Sequence, residues 1–140
     1  MGQYDAAMTE APATAPIGWI GLDGPAPVAE IHGEKAALLA VAAGAGLSVP
    51  PGFALPPGID DPTDALTKLE AAVGQRLGCP DAPLLVSARP SAPIGAGGVA
   101  PAVLDIGVTE ATLPALIDRL GERGARDLYR RLVHEVRDPA

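Results

Sequence analysis

His32 to Phe53 reads HGEKAALLAVAAGAGLSVPPGF, and most of the fold can be reasoned outward from it. Glu34 to Ala45 is built from good helix formers, with Leu38, Leu39, Val41 and Ala42 as its apolar set. A helix of this small-residue composition is expected to lay its apolar face closely on a sheet. Gly46 is the expected stop, and Val49-Pro50-Pro51-Gly52 turns the chain into a short strand at Phe53-Ala54-Leu55. The stretch therefore predicts helix, turn, strand.

Upstream, Ile17 to Leu22 is a strand candidate stopped by Asp23-Gly24-Pro25, with Trp19 as its anchor to the core. Residues 1–16 are small, polar and rich in proline, so they bury too little to offset the entropy of ordering and read as a disordered tail. Downstream, Asp61 is the expected N-cap and Pro62 the first residue of a helix carrying Leu66, Leu69, Val73 and Leu77, closed by Gly78 and Pro80. A strand from Leu84 to about Arg89 follows, then a glycine-rich loop over 90–101 and a strand at Val103 to Ile106. Thr112 is the expected cap of a helix ending at Gly121, and a last helix is expected from about Arg123 to Val136. In that helix Leu128, Leu132, Val133 and Val136 are expected inward, with Arg123, Arg126, Arg130 and Arg131 outward as a solvated or partner-docking face. The pattern is α+β, a small mixed or antiparallel sheet packed with helices, in a single domain over 17–140.

Composition removes several function classes. A net charge of −7 opposes a general nucleic-acid surface, which relies on clustered cations. No apolar run approaches the roughly 18 residues of a membrane span, and the N-terminus lacks a signal-peptide pattern, so a cytoplasmic protein is expected. Cys79 has no partner for an intramolecular disulfide, and no Cys/His cluster has zinc spacing. His32 and His134 are isolated and read as ordinary core or surface histidines.

Two cations stand where a ligand could reach them. In an extended strand Leu85, Ser87 and Arg89 share one face, while Leu84, Val86 and Ala88 share the other, which reads as purely core. Arg89 thus falls at the polar end of its face; on spacing alone, an arginine paired with a surface carboxylate fits better than a ligand contact. Lys35 occupies the first turn of its helix, against the macrodipole, at a cost of about 0.3–1 kcal/mol unless an anion is close. Glu34 or a bound phosphate can be that anion, and a plain surface lysine is the simpler alternative. The loop at 91–98 offers glycine backbone to an oxygen-rich ligand, but it matches neither the P-loop nor the dinucleotide pattern.

Three blocks taken together, HGEKAALLAVAAGAGLSVPPGF (32–53), PLLVSARPSAPIGAGGVAPAVLDIGV (83–108) and ARDLYRRLVHEV (125–136), resemble the N-terminal nucleotide-binding region of pyruvate phosphate dikinase and the related phosphoenolpyruvate synthases. The resemblance implies the first subdomain of an ATP-grasp fold. Gly33-Glu34-Lys35-Ala36 occupies the family's Gly-Gly-Lys-Gly signature, and Val86, Ser87 and Arg89 match its Val-Ser-x-Arg strand end. The resemblance implies phosphate contacts from Lys35 and Arg89, supported by Gly33, Ser87, Gly95, Gly97 and Gly98, with ATP and magnesium as ligands. Glu34 and Ala36 replace two signature glycines, Pro93 stands for a loop arginine, and Gly95-Ala96-Gly97-Gly98 replaces a Ser-Met-Pro-Gly turn.

The second ATP-grasp subdomain with its metal-binding carboxylates, the phosphohistidine domain and the pyruvate barrel have no counterpart in these residues. The expectation is therefore weak nucleotide or phosphate binding, or a half-site completed by a protein partner, rather than a complete phosphotransferase. A non-catalytic interaction or regulatory protein is the alternative, and a kinase subunit whose other half is a separate polypeptide is a third reading.

Overall fold

In the computed structural model, which describes residues 14–90 and 101–137, the strands pair as three short ladders rather than one continuous sheet. The first joins β1 (Gly18–Ile20) antiparallel to β2 (Gly52–Ala54), with Trp19 opposite Phe53. Their rings lie 5.9 Å apart at 58°, and the Lys68 ammonium sits 3.9 Å above the indole, a cation–π contact worth about 0.5–1 kcal/mol at an exposed site. The Trp19 N–H donates to the Pro25 carbonyl at 2.7 Å, which closes the expected turn. Gly24 makes that turn possible: its φ is 136°, and a Cβ there would lie 2.3 Å from Trp19 Cδ1.

Between these strands run α1 (Ala29–His32) and α2 (Glu34–Gly44), and α2 lies against β1. The helix falls where the sequence predicts it, but it packs by the opposite face. Ala36, Ala37, Ala40 and Ala43 are half-buried, whereas Leu38 and Val41 are 61% and 70% exposed. At 100° per residue the alanines form one side of the helix and Leu38, Leu39 and Val41 the other, and the shorter side chains admit the closer backbone approach.

Helix α3 (Thr63–Val73) starts after Pro62, and Asp61 Oδ1 accepts both the Thr63 N–H at 2.9 Å and the Thr63 hydroxyl at 2.5 Å. It ends earlier than the sequence suggests. Gly74 takes the left-handed conformation and its N–H returns to the Glu70 carbonyl, so Leu77 leaves the helix for β3 (Arg76–Leu77). There the Leu77 N–H donates to Glu70 Oε1 at 2.8 Å, which ties the strand back to the helix it was expected to extend.

The single strand expected from Leu84 to Arg89 is divided between two partners. Pro83–Leu84 (β4) runs parallel to β3, and Val86–Ala88 (β5) runs antiparallel to β6 (Val103–Ile106). The β5–β6 register shifts between Val86 and Ala88, so the simple alternation fails and Ala88 is exposed rather than core. On β6 the irregularity continues: Asp105 has φ 60°, and Gly107 approaches the Leu84 carbonyl so closely that a Cβ would lie 2.3 Å from its oxygen.

The main core lies on this side. Val108, Leu116 and Ala125 are buried together, with Leu85, Leu113, Ile117, Leu128, Tyr129 and Leu132 packed around them. Leu116 and Ala125 belong to α4 (Leu113–Arg137), which is kinked at Gly121 (φ 78°, ψ 158°), the residue expected to separate two helices. Thr112 does not cap this helix alone. Its Oγ accepts the Thr109 N–H at 2.8 Å while the Thr109 hydroxyl accepts the Thr112 N–H at 3.2 Å, a reciprocal capping box made of two threonines. The fully buried Thr112 hydroxyl then donates to the Gly107 carbonyl at 2.9 Å.

Beyond the kink, α4 is pinned to β6 by side chains. Glu135 Oε2 accepts the Leu104 N–H at 2.9 Å, and the Arg131 guanidinium lies 3.5 Å from the Asp105 carboxylate. Arg123, Arg126, Arg130 and Arg131 are exposed as expected, but Val136, expected inward, is 66% exposed. It lies past Glu135, where the strand that α4 covers has ended.

Candidate functional site

Lys35 owes its position to a glycine hinge. Gly33 joins α1 to α2 at φ 91° and ψ 154°, a region open in practice only to glycine. Its N–H donates to the Ala29 carbonyl at 3.0 Å, closing α1, and its carbonyl accepts the Ala37 N–H at 3.2 Å, opening α2. One residue thus ends one helix and begins the next. Because the N-cap is a glycine, no side chain caps the start of α2, whose first turn includes Lys35. Among the described residues no ion pair holds the Lys35 ammonium, and both Glu34 and Lys35 are exposed.

Ser87 lies within β5 and Arg89 one residue past its end, and both are exposed. Leu85, at the start of the same face, packs against the main core and anchors it. The three loop residues Gly95, Gly97 and Gly98 lie outside the described residues. Lys35 and Gly33 therefore stand on the side of β1 and β2, while Ser87 and Arg89 stand on the ladder that α4 covers. No hydrogen bond or ion pair joins the two sets among the described residues.

Two polar features stand outside the residues that the sequence marks as functional, and one of them, His32, is the ordinary core histidine that the sequence suggests. His32, 4% exposed, bonds through both ring nitrogens, to the Val28 N–H at 3.1 Å and the Pro16 carbonyl at 2.8 Å. Asp105 carries a buried Oδ2 that makes no hydrogen bond and faces Arg131. An aspartate inside VLDI, between apolar neighbours, was the available signal for the second; an isolated histidine offers no such signal. Two surface hollows flank Tyr129, one lined by Glu110, Leu113, Arg126 and Arg130, the other by Arg130, Val133, His134 and Arg137. Neither contains a residue of the candidate site. Among the described residues no group of three His, Cys, Asp or Glu side chains could hold a metal ion, and no helix is long and apolar enough to cross a membrane.

At the start of α3 the Asp61 carboxyl is displaced from its ordinary titration. The hydrogen bonds from the Thr63 hydroxyl and then the Thr63 N–H hold its carboxyl below the ordinary carboxylate value. It marks the start of α3 and is remote in sequence from the candidate residues.

No protein-family model matches the chain. Curated relatives do. Pyruvate, phosphate dikinase 2 of Oryza sativa subsp. japonica is 38% identical over 126 residues, covering 79% of this chain and 14% of the relative. Pyruvate, phosphate dikinase 2 of Zea mays is 37% identical over 120 residues, covering 74% of the chain, and the Flaveria trinervia enzyme is 34% identical over 117 residues. The chain spans about 14% of the length of the curated relatives it matches, so the likeness concerns a part of those proteins. Together with the Gly33–Lys35 hinge and the Val86-Ser87-x-Arg89 strand end, these matches make the chain a partial homologue of the pyruvate, phosphate dikinases.

Proposed function

We propose that the chain presents the phosphate-binding part of an ATP-grasp type of nucleotide site, with Lys35 and Arg89 as phosphate ligands and the other half supplied by a protein partner. The observation that carries this reading is the geometry at Lys35: an exposed cation in the first turn of a helix whose start no side chain caps, held there by a glycine-only hinge. Oriented N–H groups and the positive end of the helix dipole favour an anion at such a place. Ser87 and Arg89 extend the set, and Gly33, Gly95, Gly97 and Gly98 supply backbone that a phosphate can approach. Magnesium arrives with the triphosphate, and its protein carboxylates belong to the partner in this reading.

Magnitudes keep the isolated chain weak. Two charge-assisted contacts at about 1.5–3 kcal/mol each give roughly 3–6 kcal/mol before association is counted, and a millimolar complex already needs about 4 kcal/mol. Catalysis by this chain alone is not part of the proposal. A titration of the ¹⁵N-labelled chain with ATP and Mg²⁺ tests it. Amide shifts at Gly33 to Ala36 and at Arg89 are expected, saturating in the millimolar range or above, with loss in the Lys35→Ala/Arg89→Ala variant. Equal shifts in that variant, or none in the unmodified chain, overturn the reading.

The alternative, an interaction or regulatory role without ligand, is favoured by one observation. The Leu38, Leu39 and Val41 face of α2 is turned away from β1 and remains exposed.

A further inference from the structure

We propose that His32 is a positioning residue for the Gly33–Lys35 hinge: a neutral imidazole, protonated at Nε2, that ties the segment at Pro16 to the start of α1. Its backbone partners leave the ring one tautomer. Pro16 offers only a carbonyl, so Nε2, 2.8 Å away, must donate; Val28 offers an N–H, so Nδ1, 3.1 Å away, must accept. With both nitrogens committed and only 4% of the residue exposed, the ring has no lone pair or proton left for a metal or a substrate. Its work is done on the backbone.

What it holds is α1, a single turn that has little stability of its own. The His32 N–H donates to the Val28 carbonyl at 2.8 Å while the Val28 N–H donates to the His32 ring, so the two residues exchange a pair of bonds and close the turn on itself. The peptide immediately after His32 is that of Gly33, whose N–H completes α1 and whose carbonyl begins α2. Releasing the ring therefore frees the one turn that sets the direction of α2 and the place of Lys35. The Pro16 bond adds a second tie, across 16 residues, between the chain entering β1 and the same hinge. The functional consequence rests on the reading of Lys35 as a phosphate ligand; the structural one does not.

Three variants of the full chain separate these bonds. His32→Asn places an amide oxygen near the Nδ1 position and keeps the Val28 bond; His32→Gln places an amide N–H near the Nε2 position and keeps the Pro16 bond; His32→Leu keeps neither. Imidazole ¹⁵N spectra of the unmodified chain are expected to show the Nε2–H tautomer. Amide hydrogen exchange at Gly33 and Ala37 is expected to accelerate at least tenfold in His32→Leu, with partial rescue by Asn and by Gln. The acceleration should be confined to residues 28–37, where a general loss of packing would also reach β1 and β2. An Nδ1–H tautomer, unchanged exchange at Gly33 and Ala37 in His32→Leu, or an acceleration spread evenly over β1 and β2 overturns the proposal.

An ATP titration on the Asn and Gln variants reads the consequence, with weaker binding than the unmodified chain expected in step with the exchange rates. Binding unchanged while exchange rises overturns the role in positioning Lys35. If the unmodified chain binds no ATP, the phosphate reading fails, and the tautomer and exchange results still decide whether His32 holds the hinge.

Discussion

Helices α2 and α4 carry apolar residues at helical spacing, yet they use them in opposite ways. In α4 most of the large residues go inward: Leu116 is fully buried, and Leu113, Ile117, Leu128 and Leu132 surround it, while Leu120 at the kink and Val136 near the end stay exposed. In α2 the alanines go inward and the large residues outward. The difference lies in what each helix faces. The α4 residues meet the irregular β5–β6 ladder and pack with Leu85 and Val108, which flank it. By contrast α2 meets a three-residue strand of the two-stranded β1–β2 ladder, too small to cover a row of leucines. An apolar stripe thus identifies a helix without identifying its inner side.

The largest expected effect tests the α4 side of this contrast. Leu116→Ala removes a fully buried side chain from the middle of the main core and should lower the unfolding free energy by about 2–5 kcal/mol in urea titrations. A loss under 1 kcal/mol would break the contrast from that side. Much smaller is the effect of Val41→Ala, which truncates a side chain already 70% exposed and should stay within about 0.5 kcal/mol. A cost comparable to that of Leu116→Ala would mean that the outer face of α2 is covered in solution.

The smallest effect concerns the start of α3. Because the folded chain holds the Asp61 carboxyl below its ordinary value, its bonds to Thr63 contribute fully above that value and are lost as pH falls through the lowered one. Acid titration followed by the Thr63 amide shift should show a transition on the acidic side of the ordinary carboxylate range, absent in Asp61→Asn. A transition at or above that range would mean that these bonds do not hold the start of α3, whose N-cap position is Pro62 rather than the expected Asp61.

Features with local causes were legible in the sequence. The break at Gly121 and the turn at Asp23-Gly24-Pro25 each depend on residues within a few positions, and each is where the sequence puts it. Features that depend on a distant partner were not. Leu77 continues a helical spacing, but Gly74 stops the helix first and Leu84 recruits the residue into a ladder. Leu84 to Arg89 looks like one strand because nothing in its own letters announces that β3 claims one end and β6 the other. The candidate site divides in the same way. That Lys35 opens a helix and Arg89 follows a strand could be read from neighbours; how the two stand relative to each other is a property of the packing of separate ladders. His32 reads as an ordinary histidine, but its bonds were not legible because its partners are main-chain atoms, which leave no trace in residue type.

The stacking of Lys68 on Trp19 has an optical consequence. Trp19 is the only tryptophan of the chain and sits in the β1–β2 ladder, while much of the helical backbone belongs to α4, on the other side of the fold. Indole emission therefore watches one region, and far-ultraviolet ellipticity is weighted towards the other. A chemical denaturation recorded by both signals compares the cohesion of the two regions in a single unlabelled sample, and coincident curves would mean that the small ladder and the large core melt as one unit.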